Sequence, residues 1–355
     1  MTAVMTLPYA GETSAVELQP VNYGPASFNY FPEVRPPEPI QELVRIYNHR
    51  LEQGGAGAIF GSLAETEKAQ NGLSLASTGE PSEVLVLVQK PFATDLSDSN
   101  KFQGQFLYDS LLASGVVGPD GKTPQVLQIA SASRKADVPL KPREHLRLMG
   151  GDISPITDKI AEVVFEHAPR AEKIISVGYS LSGFLTPDIL MSLGRDKVPI
   201  AGLIANPPGV QPEPMRKVLG KFKQAGVNAT EHLKNSGLNV LQPEVLLSVA
   251  GKICEKAGVV VDVVSRPTNL SLWSAFSRGK FLERVQKLHR TQPKTEIDIA
   301  LGYDDPLCSP EVLEAFLIGS PYGATVIENG DHAWGLNLPR SLGHLVTGQI
   351  SKILG

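Results

Sequence analysis

Residues 175–184 read ISVGYSLSGF, three serines within seven positions directly after an apolar run. The run from Lys173 to Gly178 has the character of a buried strand, and the residues after it have the character of a helix. A serine becomes a nucleophile when a sharp strand-to-helix turn presents its Oγ and a base lies within reach. So tight a turn leaves no room for bulk two residues to either side. Ser176 fails, because Ile174 stands two before it, and Ser182 fails, because Phe184 stands two after. Ser180 is flanked at those distances by Gly178 and Ser182, both small, and is the candidate.

The surrounding pattern supplies the sheet that such a turn needs. EVLVLVQ at 83–89, QVLQIA at 125–130, IAGLIA at 200–205, EIDIALG at 296–302 and GATVIE at 323–328 read as strands. Amphipathic stretches alternate with them. One carries Phe102, Phe106, Leu107 and Leu111, and another carries Ile156, Ile160, Val163, Val164 and His167 on one face, with Ser154 as its cap and Pro155 as its first residue. Alternation of this kind implies a mostly parallel sheet covered by helices on both faces. It stops between 208 and 294, where helical patterns run together and only GVVVDVV at 258–264 suggests a strand. This segment is expected to be a mainly helical cap, inserted after the strand ending near Ala205. The expected organisation is an arm at 1–39, a core at 40–207 and 295–355, and the cap at 208–294.

The arm is rich in proline and aromatics, and Pro36, Pro37 and Pro39 exclude helix and central strand there. Its aromatics imply packing, either on its own domain or on a partner or second copy. A helix over 40–52 follows and ends at Gly54 and Gly55. These glycines close a helix rather than open one, so they do not form a phosphate loop.

With the elbow in place, the chain resembles the α/β-hydrolase superfamily, whose turn is usually G-x-S-x-G; here the last glycine is Ser182. Thr186-Pro187 departs further, implying a kink or a fresh helix start capped by Thr186. The resemblance implies an acid and then a histidine, each after a later strand. Gly302-Tyr303-Asp304-Asp305-Pro306 follows one strand and resembles the acid loop; its spacing selects Asp305, with Asp304 as the alternative. Asn329-Gly330-Asp331-His332-Ala333-Trp334 follows the next and resembles the histidine loop, with His332 as the base. The other six histidines lie in helical patterns or away from strand ends. The resemblance further implies an oxyanion hole from the amides of Leu181 and Phe92, the latter in the stretch Lys90-Pro91-Phe92-Ala93, where Pro91 has no N–H to offer.

The implied activity is a serine hydrolase that cleaves a carboxylic ester or thioester through an acyl-enzyme on Ser180, with no metal or organic cofactor. The substrate is expected to be a small ester-like molecule with an apolar group. Trp273 and Phe276 would either line its pocket or pack the cap onto the core. Alternatives keep the triad for an amide or C–C bond, or give the triad up for a non-catalytic scaffold that binds a protein partner. A net charge of −4 without a dense basic run argues against nucleic acid or anionic lipid as a partner. No apolar run reaches membrane-spanning length, and the first fifteen residues lack a secretory pattern. With only Cys254 and Cys308 as thiols, a cytoplasmic location is expected.

Overall fold

Valine and leucine alternate in VLVLVQ at 84–89, and the strand they form sorts them. Val84, Val86 and Val88 enter one apolar layer, and Leu85 and Leu87 enter the layer on the opposite face. That is the period-two geometry of a strand buried on both sides. The computed structural model describes residues 28–31, 35–69, 71–90, 95–131, 138–214, 217, 237–238, 267–317 and 322–355. In chain order the elements are β1 (Phe28–Phe31), α1 (Glu38–Gly54), α2 (Gly57–Phe60), β2 (Glu67–Lys68), β3 (Ser74–Thr78), β4 (Val84–Gln89), α3 (Asp98–Ala113), β5 (Gln125–Ala130), α4 (Pro142–Met149), α5 (Ser154–His167), β6 (Lys173–Tyr179), α6 (Leu181–Leu193) and β7 (Val198–Ala205). Further along the chain come α7 (Pro267–Ser277), α8 (Phe281–Thr291), β8 (Glu296–Gly302), α9 (Pro310–Leu317), β9 (Ala324–Ile327), a series of short helical turns, and α10 (Thr347–Leu354).

One nine-stranded sheet runs β1-β9-β8-β7-β6-β4-β5-β3-β2. Neighbours are parallel from β1 through β5, and the last two pairings, β5 with β3 and β3 with β2, are antiparallel, so that β3 alone runs against the sheet. Helices α3 and α10 cover the valine face. Helices α5, α6, α7 and α8 bury the leucine face.

All six strands read from the pattern are present. The edge strands β1, β2 and β3 were not expected. β1 lies within the arm and pairs in parallel with β9, so this part of the arm packs on its own sheet. Pro36 and Pro37 follow the strand rather than interrupt it, which reconciles them with pairing at an edge, whereas Pro39, expected to exclude helix, lies in the first turn of α1, where its missing N–H has no helical partner to lose. Helix α5 begins one residue earlier than expected: Ser154 is its first residue, and the backbone N–H of Ser154 donates to Asp152 Oδ1 at 3.1 Å. Pro187 sits inside an unbroken α6. Thr186 does not cap a new helix, since its hydroxyl donates back to the Ser182 carbonyl at 3.0 Å.

The possible strand at 258–264, most of the helical patterns of the insertion, Cys254 and residues 1–27 of the arm lie outside the described residues. In the last third of the segment expected as a cap, Trp273 and Phe276 are buried, and Phe276 packs edge-on to Phe184 of α6 at 6.2 Å between ring centres. Among the described residues no helix is long and apolar enough to cross a membrane.

Candidate active site

Ser180 stands between β6 and α6 with φ 55° and ψ −126°, a backbone conformation usually left to glycine. The turn is crowded where the sequence is smallest. A Cβ on Gly178 would lie 2.2 Å from Thr186 Oγ1 and 2.8 Å from the Gly183 Cα. Ser182 fits where glycine is usual because its side chain has bonds to make there. Its Oγ accepts from the Tyr179 amide at 2.9 Å, and its one proton faces the carbonyls of Gln89 at 2.9 Å and Tyr179 at 2.8 Å. The hydroxyl therefore ties the turn to the end of β4.

The acid and histidine loops leave the ends of the neighbouring strands β8 and β9 and press together. A Cβ on Gly302 would lie 2.5 Å from the carbonyl oxygens of both Gly330 and Asp331, which accounts for the glycine opening the acid loop. Asp305 is buried, and its Oδ1 accepts the Leu307 amide at 2.8 Å. Asp304 is exposed, and Asp305 is the carboxylate that meets the imidazole. His332 Nδ1 lies 2.9 Å from Asp305 Oδ2 and 3.1 Å from Oδ1, and its Nε2 lies 2.8 Å from Ser180 Oγ. Three side chains from the ends of β6, β8 and β9 thus form one continuous hydrogen-bonded line. All three are at most 6% exposed.

Two solved structures share this architecture at low sequence identity. A carboxylesterase from the thaumarchaeon Nitrososphaera gargenis superposes with a TM-score of 0.51 at 14% identity, over 81% of this chain and 98% of its own. A protein classed as a lipase, from Acinetobacter baumannii AYE, gives 0.50 at 12% identity, over 88% and 96%. The chain has the α/β-hydrolase fold. No protein-family model and no curated protein matches its sequence.

In this α/β-hydrolase fold the residue that sequence reasoning missed is Asn206, directly after β7. It is fully buried with φ 46°, and its own amide donates to the Ala300 carbonyl at 2.8 Å. Its side chain touches both loops that flank His332. The signal was present: an asparagine, tolerant of the left-handed region, at the rim of a parallel sheet where sites gather.

Tyr179 stacks obliquely on His332 at 5.7 Å between ring centres. Burial, with Asp305 and Asp331 nearby, holds its phenol well above the ordinary range and therefore neutral. Leu181 opens α6, so no carbonyl within the helix can take its N–H. Phe92, the other expected oxyanion donor, lies outside the described residues. Lys90, two residues before it, is buried with its Nζ donating to Gln103 Oε1 at 2.8 Å, and burial pushes its ammonium down to about 7. The described histidines other than His332 have their contacts elsewhere, as His145 with Ser271 and His344 with Phe31. Among the described residues no group of three His, Cys, Asp or Glu is placed to hold a metal ion.

Proposed function

We propose that this chain is a serine hydrolase acting on a carboxylic ester or thioester, with Ser180 as nucleophile, His332 as base and Asp305 as its orienting acid. The observation that carries this reading is the unbroken line from Asp305 Oδ2 through the His332 ring to Ser180 Oγ, at 2.9 and 2.8 Å. Asp305 accepts from Nδ1–H, which leaves Nε2 with its lone pair toward the hydroxyl. Ser180 Oγ attacks the acyl carbon as its proton passes to Nε2. The carbonyl oxygen becomes an oxyanion facing the Leu181 N–H at the positive end of α6. Collapse breaks the bond to the alcohol or thiol, which takes the proton from His332. Water then attacks the acyl-enzyme with the same histidine as base, releasing the carboxylic acid and restoring Ser180. Every group in this cycle comes from the chain or the solvent.

A fluorophosphonate probe tests the assignment, because it phosphonylates a serine only when that serine is activated. Labelling is expected in the wild-type protein, absent in Ser180→Ala and retained in Ser182→Ala. A folded wild-type protein that takes no label, or a Ser180→Ala variant that labels fully, overturns it. Turnover of p-nitrophenyl esters of increasing chain length then measures the acyl pocket.

A further inference from the structure

Asn206 lies on β7's exit, between the strands that carry the serine on one side and the acid and histidine on the other. A side-chain amide has two donor hydrogens and two acceptor lone pairs. All four are used here on the loops of the candidate site, and the amide also lies within hydrogen-bond reach of the Tyr179 hydroxyl at the end of β6. Nδ2 donates to the carbonyls of Asp331 at 3.0 Å and His332 at 3.1 Å. Oδ1 accepts the Gly302 amide at 2.8 Å and the Trp334 indole N–H at 3.1 Å. The reversed amide would set NH2 against two N–H groups and oxygen against two carbonyls, so the orientation is fixed by its surroundings. No other residue type offers that pattern at that size. Aspartate lacks the donors, leucine lacks donors and acceptors alike, and threonine has only one donor hydrogen. A left-handed φ of 46° in a fully buried residue adds a backbone cost that these bonds offset.

We infer that Asn206 is a positioning residue that locks the histidine loop to the acid loop, and so holds the His332 ring in line between Asp305 and Ser180. This inference rests on the hydrolase reading above. It touches no substrate: it holds the backbone of His332 itself and the first residue of the turn that leads to Asp305. Its loss allows the loops to slide apart, and a shift of about 1 Å in an aligned site costs on the order of 100-fold in rate. Substrate binding should change little, because Asn206 is fully buried.

The test measures fluorophosphonate labelling kinetics of wild type, Asn206→Gly and Asn206→Asp, separating the maximal labelling rate from the probe concentration at half-maximum. Asn206→Gly accommodates the positive φ and removes all four bonds. Asn206→Asp keeps size and both acceptor bonds while setting a second oxygen against the two carbonyls, and it decides the matter if the glycine variant does not fold. The expected result is a maximal rate reduced about 10- to 100-fold, with the half-maximal concentration within about twofold of wild type. An unchanged maximal rate in the folded variants overturns the inference while leaving Ser180 as nucleophile. A change confined to the half-maximal concentration overturns it as well, because it assigns Asn206 to the pocket. A wild-type protein that does not label at all sinks the hydrolase reading, and this inference with it.

Discussion

At the scale of single residues, Ser180 is held in a conformation that costs on the order of 1–3 kcal/mol for any residue with a Cβ. The hydroxyl is exposed to the imidazole only because the chain bends that way. Replacing the serine by alanine removes the hydroxyl and keeps the strain. Replacing it by glycine removes both. Ser180→Gly is therefore expected to be more stable than Ser180→Ala by about 1 kcal/mol, although glycine normally loses more entropy on folding. Urea unfolding of the two variants checks this, and an alanine variant at least as stable would mean the turn carries no strain. The serine at 180 was legible because steric demand alone discriminates it from its neighbours at 176 and 182. Ser182 was legible only as a departure from the usual glycine. Its bond to the Gln89 carbonyl depends on β4, far away in sequence, and no local pattern announces it.

Among the elements, the central strands announce themselves by composition. VLVLVQ has apolar residues on both faces and can only be a buried strand, and its alternation already assigns valines and leucines to separate layers. The residue just after this strand is one that composition does not explain. Lys90 follows β4, is buried, and has Gln103 Oε1 at 2.8 Å. Its folded-state value of about 7 lies below the roughly 10.4 of an unfolded lysine. Between those limits the unfolded chain binds a proton that the folded chain does not, so stability rises with pH through that window. Below it, both states are protonated and the slope vanishes. The unfolding free energy of wild type minus that of Lys90→Met, measured from pH 6 to 9, is expected to be flat at first and to climb above about pH 7. Parallel curves for the two proteins would show that the ammonium is not desolvated. The edge strands were harder to read for the opposite reason. SLAST at β3 has a weak apolar pattern, and β2 is two residues long, so both exist through their pairing rather than their propensity.

For the whole molecule, the chain enters the sheet at one edge and then crosses to the other. β1 occupies the edge beside β9, while β2 lies at the opposite edge. Helix α1 connects them by packing on α3, where Tyr47 meets Phe102 and Phe106 and donates its hydroxyl to Asp109. The three candidate site residues could be read because each follows an apolar strand and parallel strands deliver their ends to one rim. A strand contributed from the arm could not, since nothing in FNYF specifies a partner some 300 residues downstream. That strand has a consequence for the site. Phe31 accepts the Glu328 amide at 3.2 Å, one residue before the histidine loop begins. Its ring lies 5.0 Å from the His344 ring and 6.0 Å below the Arg340 guanidinium, which in turn donates to the Glu328 carbonyl at 3.1 Å. β1 thus braces the strand end from which His332 is suspended, on the side away from Asn206. Deleting residues 1–34 leaves β9 as a bare edge with the remaining eight strands still paired. The truncated protein is expected to fold, to melt several degrees lower, and to take a fluorophosphonate label more slowly than the full chain. Phe31→Ala, which keeps the strand and removes its packing, should cost about 1–3 kcal/mol, less than a fully buried phenylalanine does. A truncated protein with wild-type labelling kinetics would show that β9 holds the histidine loop without help from its edge neighbour, and that the arm's strand contributes to stability alone.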